Sequence, residues 1–498
     1  MMKFGFLFGA GAEMGYGFPS GGRFALDIFR HDPSNSKKEF KAMRDSLDLT
    51  TSYANDELPA DFMNKNISTF GRSVFQNIIT DTIENNRDAI IDKINNFDSL
   101  ASDAARILKS EKGVDVTNIM ESILNRGLNN LSLGQIIEFI PEFRKGNKLF
   151  NSTYFSSLLL IYKKKECLSP EGKLELGKIL LSIIQFQIGA LGEELSHKIN
   201  DSVFSKKDDE IDIFDDIGEI IQLNYSSSGL SGMEYLLGKP PFENTNDETI
   251  ILLFAHKTLE SIYASVLDYK SLIDTNWHYL YSPKSDWAKF CKICIFLLSV
   301  RDYISNIAKT PDSSAQHGYY ETLKEALDNK SFEASVIATT NYNHFIEDIL
   351  KKDVVFLNGS TELWYDPYLN KIGKRNELLA QEKHIIVPLL FTQSGTKPIT
   401  SIKMSSDYVD TYRDWKKSDA VVIIGFGFGK DDEHINGILR TLVDVDDKKI
   451  IVVALESTQN DIAKKLKIRK ADNIRVINVN QSGFTSNNQS WIAALTTE

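Results

Sequence analysis

Short runs of β-branched and other apolar residues recur along this chain and alternate with segments of helical pattern. Continuous apolar runs of this length are typical of parallel strands that are buried on both faces. The runs are DAVVIIGFG (419–427), KKIIVVALES (448–457), NIRVINVN (473–480), EASVIATTNY (333–342) and DVVFLNGS (353–360), with residues 4–8 as a further strand. Strands that alternate with helices predict an α/β fold with a doubly wound, Rossmann-like parallel sheet.

The long middle of the chain has apolar residues at helical spacing, for example Phe75, Ile78, Ile79 and Ile83. Because this block follows the first strand and precedes the others, we predict a large helical insertion within the sheet domain. The predicted divisions are residues 1–65 for the first part of the sheet domain, 66–330 for the helical insertion or partner domain, and 331–498 for the remainder.

Charge limits the classes of partner. The chain has 498 residues and a formal net charge of -11, with a pI near 5.4. A general nucleic-acid or anionic-membrane surface needs the opposite sign of charge. We therefore expect small molecules or proteins as partners, with no direct binding to nucleic acid and no membrane span.

The cysteines indicate the cellular compartment. Cys167, Cys291 and Cys294 cannot form a disulfide framework, and the one CxxC pair lacks the second pair of a four-cysteine zinc site. Cys291 and Cys294 lie in an apolar stretch that predicts a buried helix. We expect no metal site, no export signal and a cytoplasmic location.

The stretch FLFGAGAEMGYGFPSGGRF (6–24) places glycines directly after the first predicted strand, and a helix is predicted to begin near Ser20. Main-chain amides at such a turn and helix start can bind a pyrophosphate. The spacing of Gly9, Gly11 and Gly15 is GxGxxxG and not the GxGxxG of dinucleotide-binding loops. A tight structural turn therefore remains an alternative at this point.

Three further polar segments follow predicted strands: TTNYNHFIE (339–347), FLNGS (356–360) and GFGFGKDDEHIN (425–436). Ligands of doubly wound sheets bind at the carboxyl ends of the strands. We therefore expect all four segments to line one site.

Taken in this order, the motifs resemble the sirtuin-like NAD-binding family, especially its divergent members in bacterial anti-phage defence. GAGAEMGYGFPSGG resembles the family's first loop, and TTNYN stands in the place of its Thr-x-Asn-x-Asp segment. NGS stands where the family has His-Gly, and VVIIGFGFGKDDEHIN resembles a later strand and its loop. The resemblance covers residues 1–30 and 331–498 but not the helical block, so the sheet domain is expected to be of sirtuin type.

The resemblance implies roles for single residues. The loop after the first strand would hold the pyrophosphate of NAD, and the segment after it would close over the nicotinamide riboside. Asn341 would hold the ribose and the attacking water, and Asn358 is the second candidate catalytic position. The candidate binding residues are Gly9, Ala10, Gly11, Ala12, Glu13, Phe18, Pro19, Ser20, Asn343, Gly359, Ser360, Gly425 and Phe426.

Two of these positions depart from the family pattern. Asn343 replaces the aspartate that contacts the nicotinamide carboxamide, and an amide can make that contact because it both donates and accepts. Asn358 replaces the histidine that acts as general base. An asparagine amide does not titrate near neutral pH, and loss of proton-transfer help costs a factor of ~10² to ~10⁴ in rate. His344, His384 and His434 could stand in, but each is predicted to be an ordinary packing or capping histidine.

The resemblance implies an NAD glycohydrolase that releases nicotinamide and ADP-ribose as a triggered anti-phage (abortive infection) effector, attenuated by Asn358. NAD would be its substrate, and no metal is implied. The alternative is a catalytically inactive subunit that binds NAD or a related nucleotide and acts through a partner protein. A partner from the same defence system, a homo-oligomer, or both are expected.

Overall fold

The computed structural model describes residues 1–19, 21–129, 131–133, 148–164, 167–191, 229–238, 246–267, 270–309, 318–390, 401–429, 432–480 and 483–496. They form two compact units. The sheet unit comprises Met1–Ser20, His31–Phe70 and Lys270–Glu498, and the helical unit comprises Gly21–Arg30 and Gly71–Tyr269.

All described strands belong to the sheet unit. They are β1 (Lys3–Phe8), β2 (Glu333–Thr339), β3 (Val355–Phe356), β4 (Trp364–Asp366), β5 (Lys371–Gly373), β6 (Val387–Pro388), β7 (Ala420–Ile424), β8 (Lys449–Ala454) and β9 (Ile474–Asn478). The strands β5-β4-β6 form a small antiparallel sheet.

The described α-helices are numbered in chain order. They are α1 (Gly21–Arg30), α2 (Ser34–Asp45), α3 (Arg72–Asn85), α4 (Arg87–Asn95), α5 (Phe97–Lys112), α6 (Val116–Leu124), α7 (Thr153–Lys163), α8 (Pro170–Leu191), α9 (Leu230–Leu237), α10 (Asp247–Ala264), α11 (Lys270–Asn276), α12 (Trp287–Lys309), α13 (Tyr319–Asp328), α14 (Phe345–Leu350), α15 (Arg375–Leu378), α16 (Ile402–Lys417), α17 (Glu433–Asp444), α18 (Gln459–Leu466) and α19 (Trp491–Thr496).

The main sheet has six strands in the spatial order β3-β2-β1-β7-β8-β9, and all of its pairings are parallel. Numbered along the chain, this order is third, second, first, fourth, fifth and sixth, as in Rossmann-like dinucleotide-binding sheets. The order reverses between β1 and β7, where ligands of such sheets bind. The predicted α/β class with a parallel sheet is confirmed.

Both faces of β1 are covered, which explains why its apolar run is continuous. Phe4, Phe6 and Phe8 share one face because side chains alternate along a strand, and the Phe8 ring contacts Tyr320 of α13 edge-on at 5.2 Å. On the other face, a Cβ built on Gly5 would lie 2.3 Å from the ring of Trp415 in α16. Gly5 is therefore needed to let this tryptophan pack against the strand.

The helical unit contains α1 and α3–α10. One of its helices, α8, is long and apolar enough to cross a membrane by length and composition, and 61% of its most apolar window is buried. Burial of this kind is equally typical of the core helix of a folded domain. No other helix within the described residues passes the same test.

The bounds of the two compact units differ from the divisions predicted from the sequence. Residues 270–330 were assigned to the helical insertion but lie in the sheet unit, whereas residues 21–30 lie in the helical unit. Cys291 and Cys294 are buried in α12, as the apolar pattern predicted, and both are free thiols.

Candidate functional site

The carboxyl ends of four strands are level with one another. Phe8 of β1 is paired in register with Ile424 of β7 and with Thr339 of β2, and Thr339 is paired with Phe356 of β3. The four segments singled out from the sequence therefore begin at one edge of the sheet. We call residues 9–13, 341–343, 358–360 and 425–426 the strand-end site.

The loops after β1 and β7 are in direct main-chain contact. Gly9 N donates to Ile424 O and Gly11 N donates to Gly425 O, each at 2.9 Å. A Cβ on Gly9 would lie 2.6 Å from Gly425 O, and a Cβ on Gly11 would lie 2.9 Å from Gly425 Cα. Any side chain at these two positions would push the loops apart, so their glycines are required by this approach.

The close approach of the loops after β1 and β7 also constrains Gly425. Its φ is +66°, and a Cβ there would lie 2.0 Å from Ala12 N. The left-handed conformation and the missing space both require glycine. Phe426, the next residue, is buried and its ring contacts Phe428 at 5.2 Å.

Most main-chain amides of the loop after β1 already donate hydrogen bonds to acceptors within the protein. Besides the two bonds to the β7 loop, Ala12 N donates to Gly9 O at 3.0 Å and Glu13 N donates to Ala10 O at 3.1 Å. Ala10 is exposed, and its N–H has no hydrogen-bond acceptor within the part of the chain that the structure describes. A phosphate contact from this loop would therefore come from Ala10, while the glycines serve the approach to the β7 loop.

Asn341 links the ends of β2 and β1. Its main-chain N donates to Thr339 Oγ1 at 3.0 Å, and its Nδ2 donates to Gly9 O at 3.3 Å. The side chain is buried. The predicted ribose-holding asparagine and the glycine loop are thus in contact.

The loop after β3 packs beside the loop after β2. Leu357 N donates to Thr339 O, and Thr361 N donates to Tyr342 O, each at 2.9 Å. Gly359 has a φ of +90°, and a Cβ there would lie 2.1 Å from Leu389 O. Ser360 is fully buried, and its Oγ lies 3.2 Å from His344 Nε2.

Asn358 is met by side chains from two helices. Its Oδ1 lies 3.4 Å from the hydroxyl of Tyr408 in α16 and 3.4 Å from Nε2 of His434 in α17. Tyr408 also donates to Leu357 O at 2.7 Å. Because α17 follows the β7 loop, the contact to His434 links the β3 loop to the β7 segment. Together with the contacts between the β1, β2, β3 and β7 loops, it closes a ring of contacts around the strand-end site.

Glu13 is the charged residue at the centre of this network. It is 3% exposed. Its Oε2 accepts a 2.6 Å hydrogen bond from Asn343 Nδ2, and its Oε1 accepts a 2.9 Å hydrogen bond from the Tyr320 hydroxyl. Burial raises its pKa to about 7, against the opposing effect of hydrogen bonds from Asn343, Tyr320 and Asn341. A carboxyl with a pKa near neutral is common at functional sites.

Asn343 has both ends of its amide engaged. Nδ2 donates to Glu13, and Oδ1 accepts from Phe345 N at 2.9 Å, at the start of α14. Each end keeps one further hydrogen-bonding position. The contact to a carboxamide that the resemblance implies would use those remaining positions.

Behind Glu13, two tyrosines extend the network towards α13. Tyr16 donates to Glu321 Oε2 at 2.5 Å and accepts from Tyr320 N at 2.9 Å, and its ring stacks on that of Tyr320 at 5.4 Å. Burial raises the pKa of Tyr320 well above its usual value, and the nearby Glu13 carboxylate adds to this. Neither tyrosine was predicted as a site residue: Tyr16 lies within the glycine-rich stretch without a role of its own there, and Tyr320 lies in no motif because α13 reaches the site only through the fold.

The other candidate residues have clear positions with one exception. Phe18 is half-buried and its ring contacts Phe345 at 5.3 Å, and Pro19 is half-buried. Ser20 lies outside the described residues. The helix α1 begins at Gly21, as predicted, but belongs to the helical unit.

Two further histidines have partners of their own. His344 Nδ1 lies 2.5 Å from Glu347 Oε2, and His384 Nδ1 lies 2.8 Å from Asp366 Oδ2 in the small antiparallel sheet. Both arrangements agree with the predicted packing roles. No group of three or more histidine, cysteine, aspartate or glutamate side chains is placed to hold a metal ion within the described part of the chain.

Comparisons of the chain with protein-family models, with curated proteins and with solved structures each gave no match. A function for the chain is therefore inferred from the fold, from the contacts of the strand-end site and from the motif resemblance.

Proposed function

We propose that the chain is a sirtuin-like NAD glycohydrolase that cleaves NAD with water to nicotinamide, ADP-ribose and a proton. The single observation that carries this proposal is the ring of contacts that brings Gly11, Gly425, Asn341 and Asn358 to the edge of the sheet where its strand order reverses. This edge is where dinucleotides bind in sheets of this topology. The motif resemblance supports a role as a triggered effector in anti-phage defence.

Cleavage of the bond between nicotinamide and ribose requires the site mainly to position the reactants. The leaving group is neutral once it departs, so the protein must place a water molecule and stabilise positive charge that develops on the ribose. Asn341, held by Gly9 O and Thr339, is suited to orient the ribose or the water. Asn358 cannot accept a proton, and the titratable side chains in contact with it are those of Tyr408 and His434. We therefore expect slow turnover.

The experiment measures nicotinamide release from NAD by liquid chromatography for the unmodified chain and for Asn358→His. Restoring a base at this position should raise the rate by about 10² to 10⁴. Asn341→Ala should abolish release in both backgrounds. Asn64→Ala, which removes an exposed asparagine bound only to Asp61, is the matched control and should leave release unchanged.

A second candidate function, favoured by Asn358 itself, is a subunit that binds NAD or a related nucleotide without cleaving it and acts through a partner protein. Calorimetry separates the two. Stoichiometric binding of NAD that stays intact even with Asn358→His would favour the binding subunit, and absence of both binding and release would reject both functions.

A further inference from the structure

The strand-end site holds a buried carboxyl without a cation beside it. Glu13 is faced by Tyr320 of α13 and by Asn341 and Asn343 of the segment after β2, and Tyr320 and Asn343 donate hydrogen bonds to its carboxyl group. Within the described residues, no lysine, arginine or histidine forms an ion pair with Glu13. The hydrogen-bonded network continues from Tyr320 through Tyr16 to a second carboxyl group, that of Glu321.

An arrangement of this kind is costly for a folded chain unless something compensates the charge. Buried charges in proteins are normally paired or bound to a metal ion. Here two donors, the Tyr320 hydroxyl and Asn343 Nδ2, are arranged for the ionised form of Glu13, since an ionised carboxylate can only accept hydrogen bonds. The hydrogen bonds stabilise the anion but supply no net positive charge.

The position of Glu13 shows where a counter-charge could come from. Glu13 is the last residue of the glycine loop after β1 and lies beside Asn341 and Asn343 of the strand-end site. A ligand that binds at this edge of the sheet is thus the group able to bring a positive charge close to it. In a nicotinamide dinucleotide, the only cationic group is the oxidised ring, and the reduced ring is neutral.

We propose that Glu13 is the specificity-determining residue of the strand-end site and selects the dinucleotide with a cationic nicotinamide ring over the form with a neutral ring. This inference rests on the proposed function, because it assumes that a nicotinamide dinucleotide binds there. It goes further by naming the redox form that is bound and the side chain that distinguishes it.

Proton linkage follows from the same electrostatics. A bound cation favours the ionised form of Glu13, so binding of NAD⁺ should release protons when Glu13 begins protonated. The affinity for NAD⁺ should fall by about tenfold for each pH unit below the pKa of Glu13, which is about 7. The affinity for NADH should change little, because its ring carries no charge.

The test measures binding of NAD⁺ and of NADH to the full chain by calorimetry at pH 8 and pH 6, with nicotinamide assayed in the same samples. For the unmodified chain, we expect roughly 10- to 100-fold tighter binding of NAD⁺ at pH 8 and a smaller preference at pH 6. Glu13→Gln removes the charge and keeps the shape, and it should reduce the preference to about threefold or less at both pH values.

Glu321→Gln is the matched control, because it removes a neighbouring carboxylate of the same hydrogen-bonded chain that does not contact the asparagines. It should keep the preference of the unmodified chain. Proton release on NAD⁺ binding, measured for the unmodified chain in buffers of different ionisation enthalpy, gives a second readout that does not depend on the folding of any variant.

The outcomes are distinguishable. If neither dinucleotide binds the unmodified chain, the proposed function fails and the inference fails with it. If both bind with equal affinity and without proton release, the dinucleotide site stands and the role of Glu13 is overturned. Preference for NAD⁺ that Glu13→Gln retains would also overturn it.

Discussion

Among the described residues of the sheet unit, two carboxyl groups are buried, and their electrostatic situations differ. Glu13 in the strand-end site has hydrogen-bond donors but no cation. Asp366 in the small antiparallel sheet is paired with His384, and the two side chains are 0% and 1% exposed. Its second oxygen, Oδ1, accepts from Tyr368 N and Leu369 N at 3.0 and 3.2 Å.

His384 is enclosed by aromatic rings of the sheet unit. Its ring contacts Tyr53 at 4.7 Å and Tyr368 at 4.9 Å. Burial by itself lowers the pKa of His384, but the hydrogen bond and charge of Asp366, with Glu382, raise the pKa above its usual value. Asp366 therefore has its hydrogen-bonded basic partner, His384, inside the protein.

The comparison separates a structural charge from a functional one. A buried carboxylate that has its cation within the fold contributes to holding that part of the structure together. A buried carboxylate without a cation costs stability and is expected where a ligand supplies the missing charge. The following predictions test this difference, beginning with the largest effect.

The largest effect is expected from His384→Ala, which leaves Asp366 buried and uncompensated. We expect a loss of about 3–5 kcal/mol in the free energy of unfolding, measured by denaturant titration. Because the folded-state pKa of His384 is raised above 6.5, its stabilising contribution is complete below pH 6.5 and is lost as the pH rises through the folded-state value. The penalty should therefore be greater at pH 6 than at pH 9.

The control is His278→Ala, at an exposed position in the 3-10 helix Trp277–Tyr281. It should change the free energy of unfolding by no more than about 0.5 kcal/mol. Equal losses from the two substitutions would remove the distinction between the compensated pair and an ordinary surface histidine.

Glu13→Gln should differ from the unmodified chain most at high pH, where His384→Ala differs least, because in both cases the unmodified chain loses stability relative to the variant as the pH rises. The folded-state pKa of Glu13 is raised from 4.5 to about 7, so the folded protein binds the proton more tightly than the unfolded chain does. The unmodified chain should lose up to roughly 3 kcal/mol relative to Glu13→Gln as the pH rises from 4.5 through 7. Denaturant titrations of both proteins across this range measure the difference, and a difference independent of pH would contradict a buried, uncompensated Glu13.

The smallest effect is expected from Tyr320→Phe, which removes the donor to Glu13 Oε1. Because this hydrogen bond lowers the pKa of Glu13, its loss should move the midpoint of the pH-dependent stability upward from about 7, at a cost of about 1 kcal/mol. Tyr319→Phe is the matched control, since Tyr319 contacts Trp491 and not Glu13. An unchanged midpoint in Tyr320→Phe would show that the tyrosine does not tune the carboxyl.

Much of the sheet could be predicted from the sequence because its signals are local. Runs such as residues 420–424 are apolar throughout and β-branched, and their burial on both faces requires little knowledge of the rest of the chain. The positions of Gly9, Gly425 and Asn341 at strand ends followed from the same pattern. The spatial order of the strands did not, because it depends on pairings between residues hundreds of positions apart.

The candidate site was predicted in its segments and not in its contacts. The sequence indicated Asn358 as a position without a proton acceptor, but it gave no sign that His434 and Tyr408 meet that side chain from two helices. It offered the glycines either as a phosphate loop or as a tight structural turn, and in the structure Gly9 and Gly11 bring that loop against Gly425. A close approach between two backbones has no signature in either segment alone.

The sequence by itself determined the α/β class, the strands and the places where polar segments leave them, because these depend on side-chain pattern and backbone freedom within a few residues. Tertiary structure decided the charge states. The sequence marked Glu13 only as a candidate binding residue, and only the packing of Tyr320, Asn341 and Asn343 around it removes water and raises its pKa. Desolvation depends on everything that surrounds a group, so the chemistry of this carboxyl is a property of the folded chain.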